Sequence, residues 1–221
     1  MEKVLFGWSG GKDSAMALRE VLRGGKYEIA ALLTTVTEDY DRISMHGVRR
    51  VLLEKQASNL GLALEKVLIS KSASNAEYER NMKLVLEKYR SLGVSSVVFG
   101  DIFLEDLRKY REDKLKEVDF KGIFPLWKRD TRKLAEEFIS AGFRAVVTCV
   151  DSKVLDGNFA GREFDGSFLA DLPAGVDPCG ENGEFHSFVY EGPIFREKIA
   201  LSRGEVVLRD NRFYFCDLVN G

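Results

Sequence analysis

Short apolar runs alternate with helix-period segments through the first half of the chain, and few folds accommodate that rhythm. Val4-Leu5-Phe6, residues 29–35, residues 64–69 and Val97-Val98-Phe99 read as buried strands. Between them residues 15–22, 48–60 and 76–92 carry helical spacing, the first stopping at Gly24-Gly25 and the second at Gly61. Another helix is expected over about 104–118. Right-handed crossovers lay such helices over the sheet they connect. The expected fold class is therefore α/β, an open, doubly wound parallel sheet of Rossmann-like type. Ligands of such sheets bind beyond the carboxyl ends of the strands, where Phe6-Gly7 and Phe99-Gly100 stand.

The rhythm changes after Phe124-Pro125-Leu126-Trp127, which reads as a joint. Asp130 is placed to cap a helix through Ile139, residues 144–150 form a strand, and residues 156–183 are rich in glycine. The tail, 198–218, alternates around Arg203-Gly204 and Asp210-Asn211, as antiparallel hairpins do. Two domains are expected: residues 1–128, and a smaller α+β domain at 129–221.

Where the first strand ends, the chain reads FGWSGGKDSAMAL from Phe6. A glycine turn between a buried strand and a helix exposes backbone N–H groups at the positive end of the helix dipole, which is an anion site. Lys12 adds a charge, and Ser9 and Ser14 add hydroxyls. The bland alternative is a plain turn in which Asp13 caps the helix and Lys12 is solvated. The familiar phosphate loop needs four residues between its glycines and a hydroxyl residue after the lysine. Here Gly7 and Gly11 enclose three residues and Asp13 follows Lys12.

A second run, CGENGEFHS from Cys179 to Ser187, is glycine-rich and polar. Gly180 and Gly183 let backbone approach a ligand. Glu181, Glu184 and His186 offer two anions for a cation and one group that could accept a proton from ammonium. The alternative is a tight turn entering a strand over 186–190, with solvated glutamates. Gly100 and Asp101 end a strand beside the first bend and are binding candidates, though Asp101 could instead cap the next helix. For His46 a structural role and a catalytic one stay open.

Composition excludes several function classes. Lys and Arg total 33 against 35 Asp and Glu, a net charge of −2, which argues against direct nucleic-acid binding through bulk charge. Cys149, Cys179 and Cys216 show no metal or redox spacing and suit small buried hydrophobes in a reducing cytosol. The amino-terminal segment turns to glycine too early for a secretory signal, and apolar runs are too short to span a membrane. A cytoplasmic protein is expected.

The run Ser9-Gly10-Gly11-Lys12-Asp13-Ser14 resembles the mark of the PP-loop ATP pyrophosphatases, the adenine nucleotide α-hydrolase group. That resemblance implies ATP bound by these six residues, with Gly100 and Asp101 beside it, magnesium at Asp13, and cleavage between the α and β phosphates. Concentrated positive charge helps pyrophosphate leave. Together with GVRRVLLEKQASNLGL, VVFGDI, the PLW joint and LDGNFAGREFD, the CGENGEFHS run is similar to the diphthine–ammonia ligase family. Phe159 and Ala160 depart from the tryptophan and leucine common there before Gly161.

The resemblance implies an ATP-dependent amide ligase with ATP and Mg2+ as cofactors. It would convert the carboxylate of diphthine, a modified histidine bearing a trimethylammonium group on translation elongation factor two, to diphthamide with ammonium. An acyl-adenylate would form, with AMP and pyrophosphate released. Lys12, Asp13, Glu184 and His186 would be catalytic, and Glu181, Asn182, Glu184 and His186 would face the acceptor rather than the nucleotide. A homodimer is left open. Two rival readings remain at this point: another PP-loop enzyme such as a tRNA-modifying ligase, and a nucleotide-binding sensor without chemistry. The absent paired cysteines count against the first, and the second polar motif against the other.

Overall fold

The structure, a computed structural model, describes residues 1–43 and 47–221, so the expectation attached to His46 lies outside the described residues. The chain runs through β1 (Glu2–Gly7), α1 (Lys12–Gly24), β2 (Tyr27–Thr37), β3 (Arg42–Ile43), α2 (Arg50–Leu60), β4 (Leu64–Ile69) and α3 (Asn75–Ser91). It continues through β5 (Ser96–Val98), α4 (Glu105–Lys116), β6 (Lys121–Ile123), α5 (Thr131–Ser140) and β7 (Arg144–Asp151). The last elements are α6 (Gly166–Asp171), β8 (Phe185–Glu191), β9 (Leu201–Arg209) and β10 (Phe213–Asn220).

β1 and β4 both pair with β2 at Leu32 and Leu33, so they occupy opposite edges of it. The parallel strands therefore lie in the order β4-β2-β1-β5-β6, with β3 a short antiparallel addition to β2. This is a doubly wound sheet whose direction of winding reverses between β1 and β5, the place where such folds form a ligand crevice. Side chains alternate between two faces, as strand geometry requires. Leu5, Ala31, Leu33 and Val97 meet Leu86 and Tyr89 of α3 and Leu115 of α4. Val4, Phe6, Leu32 and Val98 meet the apolar stripes of α1 and α2.

The second sheet is antiparallel, ordered β8-β7-β10-β9. Its residues Val146, Val147, Phe188 and Leu218 join the core that holds Val4, Phe6 and Trp8, so one continuous core runs between the two sheets. Arg42 and Arg49 strap the last strand to the first half through Asp217, at 2.9 and 2.6 Å. Those guanidiniums hold the Asp217 carboxyl down at about 2.

Asp130 caps α5 as expected, its carboxylate accepting from Lys133 N–H at 2.8 Å. The tail differs from expectation in one respect. Only Asp210-Asn211 turns the chain, with φ of 52° and 50° as a tight hairpin requires. Arg203-Gly204 lies within β9, where the register slips between Cys216 and Leu218. Gly204 is pressed against Asp217 there, so the glycine serves a bulge and not a second turn. β6 was not foreseen, because three residues with a central glycine carry no periodicity; pairing with β5 makes them a strand. Among the described residues no helix is long and apolar enough to cross a membrane.

Candidate active site

β1 ends by donating Trp8 N–H to the Leu33 carbonyl at 2.8 Å, and the chain then leaves the sheet. Gly10 takes φ +78°, with Gln56 Oε1 and Leu53 Cδ1 standing where a side chain would go, so only glycine fits. Gly11 is the N-cap of α1 and offers no capping side chain. The Gly11 N–H donates to Ser9 Oγ at 3.3 Å, and the helix start opens beside Ser9 and Ser14, whose hydroxyls are 3.3 Å apart. The sequence alternative in which Asp13 caps this helix is not what forms. β5 ends alongside: a Cβ on Gly100 would lie 3.0 Å from both the Asp13 carbonyl carbon and the Ser14 nitrogen.

The loop is gripped from behind. Gln56 is fully buried on the apolar face of α2. Its Oε1 accepts from Trp8 Nε1 at 2.9 Å, while Nε2 donates to the carbonyls of Gly10 at 3.0 Å and Val189 at 2.6 Å. Val189 N–H also donates to the Gly10 carbonyl at 2.9 Å. The outer edge of β8 is thus satisfied by the glycine loop. Ser187, on the same strand, accepts from Lys12 N–H at 3.2 Å.

The second motif folds over this junction as a self-bonded loop. Asp177 Oδ2 accepts from Cys179 and Glu181 N–H at 3.1 and 3.0 Å. Glu184, 6% exposed, accepts from Asp177 and Asn182 N–H at 3.1 and 2.9 Å and from the Asn182 amide at 2.9 Å. Glu181 instead reaches across to the loop after β5, its Oε1 accepting from Ile102 and Phe103 N–H at 2.7 and 3.3 Å.

These elements enclose a cleft of about 710 Å³. Ser9, Gly11, Lys12, Asp13, Ser14, Gly100, Asp101, Gly180, Glu181 and His186 line it. Gly10 stands behind the loop. Asn182 and Glu184 do not line the cleft: their polar groups organise the turn. Lys12 lines the cleft and is not the solvated lysine of the bland alternative. Its ammonium, 4% exposed, is bonded to the Cys179 carbonyl and paired with Asp13 Oδ2 at 2.9 Å, under the rings of Phe164 and Phe185. The lysine thus ties the helix start to the second motif. Asp101 does not cap α4, whose N-cap is Leu104. It pairs with Arg111 at 2.7 Å, and that guanidinium stacks on Phe99.

Burial opposes the charge on Lys12, but the neighbouring groups, Asp13 foremost, together outweigh it and keep the ammonium protonated. Burial, with Asp13 nearby, pushes the Glu181 carboxyl up to about 7. Burial and the Lys12 charge push His186 down to about 4, so the imidazole is neutral near pH 7. All three cysteines are buried and free, and burial pushes Cys149 up to about 12, which suits packing and not nucleophilic work.

Sequence reading missed Gln56, Asp177 and Ser187. Gln56 had a signal, a polar residue at helical spacing within the apolar stripe of Leu52, Leu53 and Ala57.

Two family models match the chain: the diphthamide synthase N-terminal domain over residues 2–122 and the diphthamide synthase C-terminal domain over residues 130–218. The chain belongs to the diphthamide synthase family. Among curated relatives, diphthine–ammonia ligases of Bos taurus and Homo sapiens are each 27% identical to it over 90% of its length, covering 82% and 83% of their own. The diphthine–ammonia ligase of Schizosaccharomyces pombe is 27% identical over 93% of this chain, which spans 37% of that longer protein. Phe159 and Ala160 do not line the cleft; Phe159 packs on Phe168. In this diphthamide synthase family member both matched segments contribute walls to one cleft.

Proposed function

We propose that the protein is an ATP-dependent amide ligase that converts the diphthine carboxylate of translation elongation factor two to diphthamide with ammonia, in the cytoplasm. The observation that carries the reading is the glycine-capped start of α1 opening into the same cleft as the second glycine-rich motif. Residues 1–128 supply the nucleotide wall and residues 129–221 the acceptor wall, as two domains sharing a core. The relatives' name supports the acceptor and the nitrogen donor.

The N–H groups of the first turn of α1 beyond Lys12 and the hydroxyls of Ser9 and Ser14 bind phosphate oxygens. Asp13 presents a carboxylate oxygen that Lys12 leaves open. Among the described residues there is no cluster of three or more His, Cys, Asp or Glu that could hold a metal ion. Asp13 therefore fits magnesium that arrives with the nucleotide, since this ion keeps water and phosphate ligands and takes one or two carboxylates. Magnesium there would neutralise phosphate charge as pyrophosphate departs. The acceptor carboxylate attacks the α-phosphorus, the bond to pyrophosphate breaks, and ammonia then displaces AMP from the acyl-adenylate. The walls around Trp8 and Phe185 keep water from that mixed anhydride.

The test is to incubate the protein with ATP, ammonium and diphthine-bearing factor, resolving nucleotides by chromatography and the factor by mass spectrometry. AMP, pyrophosphate and amide are expected. ADP and phosphate, or an absolute need for glutamine, would overturn the reading.

A further inference from the structure

Five carboxylates stand at or beside the cleft, and four are already committed. Asp13 is paired with Lys12, Asp101 with Arg111, and Asp177 and Glu184 are spent on their own loop. Glu181 differs. Its Oε1 is fixed by two backbone N–H groups, and among the described residues no salt bridge reaches it, the Lys12 ammonium acting on it only from a greater distance. Its side chain lines the cleft, between the helix start and the loop after β5.

We propose that Glu181 is the docking point for the ammonium ion and the base that removes its proton, a role that rests on the ligase reading above. A small cation is drawn to an unpaired carboxylate within a partly desolvated wall. The anchored Oε1 aims the remaining oxygen. Glu181 takes one proton from ammonium, becoming a carboxylic acid and leaving neutral ammonia. The nitrogen lone pair forms the bond to the acyl carbon, and the carbon–oxygen bond to AMP breaks with its electron pair leaving on the AMP phosphate. The nitrogen's surplus proton goes to solvent, and Glu181 then returns its own proton to solvent.

The groups around Glu181 fit this work. Lys12 and Asp13 face it from α1, Asp177 holds its N–H, and Asp101, Arg111 and His186 share the cleft. A carboxyl pushed up to about 7 is a far better proton acceptor than an exposed one. His186, held down at about 4, is the weaker base.

Glu181→Gln keeps the oxygen that accepts from Ile102 and Phe103 and removes the base. Three rates decide: ATP–pyrophosphate exchange with the acceptor and no nitrogen donor, amide formation with ammonium, and hydroxamate formation with hydroxylamine, a nucleophile already neutral near pH 7. Exchange and hydroxamate formation are expected within about 3-fold of the parent. Ammonium-dependent amide formation is expected to fall roughly 10²-fold, the scale for loss of a general base, and to recover as pH rises and free ammonia accumulates. Equal losses with ammonium and hydroxylamine would overturn the role. Loss of exchange, or a raised magnesium requirement, would make Glu181 a nucleotide or metal ligand instead. A parent protein without exchange would overturn the ligase reading itself, and this role with it.

Discussion

Glu181 and His186 share a cleft, yet burial pushes their protonation in opposite senses. For Glu181, raised to about 7 from an unfolded value of about 4.3, the folded state binds the extra proton. Its contribution to stability is full below about pH 4 and is lost as pH rises to 7. For His186, lowered to about 4 from about 6.5, the unfolded state binds the extra proton, so its contribution is present above 6.5 and lost as pH falls to 4. The two slopes offset each other. Subtracting the parent's stability from that of Glu181→Gln should leave a difference that rises between pH 4.5 and 7. The same subtraction for His186→Gln should leave one that falls as pH rises from 4 to 6.5. Each change should be about 1–3 kcal/mol, read from urea unfolding across pH. Flat difference curves would show that neither group is desolvated in the fold. Glu184 teaches the complementary lesson: its charge in GENGEFH suggested chemistry, but three donors within its own turn consume it.

At the scale of elements, the ends of β1 and β5 and the start of α1 meet so closely that Gly100 has no room for a methyl group. A Cβ there would press on backbone atoms of Asp13 and Ser14, which cannot swing away as a side chain can. Gly100→Ala should therefore shift the helix start, weakening ATP binding roughly 10-fold or more by titration calorimetry, while the far-UV spectrum stays that of the parent. Unchanged affinity would mean that the phosphates are held elsewhere. The strand ends and their glycines were legible from residues 4–7 and 97–100 because a buried apolar run followed by glycine has few structural solutions. The linkage of β8 to the loop was not legible. It depends on the Val189 N–H and the Gly10 carbonyl, and backbone groups carry no mark in a sequence.

For the whole molecule, the common core makes the two halves interdependent. Phe6, Trp8 and the stripe of α1 lie in one cluster with Phe138, Phe143, Val147 and Phe188. A fragment ending at residue 128 would uncover the sides of α1 and α2 that meet β8 and β10 and lose the Val189 N–H that β8 donates to the Gly10 carbonyl. It should not unfold cooperatively in urea, whereas the full chain should show a single transition by near- and far-UV dichroism. A fragment with a sharp transition and bound ATP would count against this coupling.

The alternation of strand and helix periods, the glycine bend, the placement of Asp130 and the burial of the cysteines followed from the sequence alone, because each rests on local sterics or on patterning along the chain. Tertiary structure decided where the charges go. Lys12 turned toward Cys179 instead of open solvent, Glu184 closed its own loop, and Gln56 became the hub of the glycine loop. Each of these choices depends on partners distant in the chain or on the shape of a turn, and on how much water the packed neighbours leave, quantities that exist only once the two sheets have closed on one another.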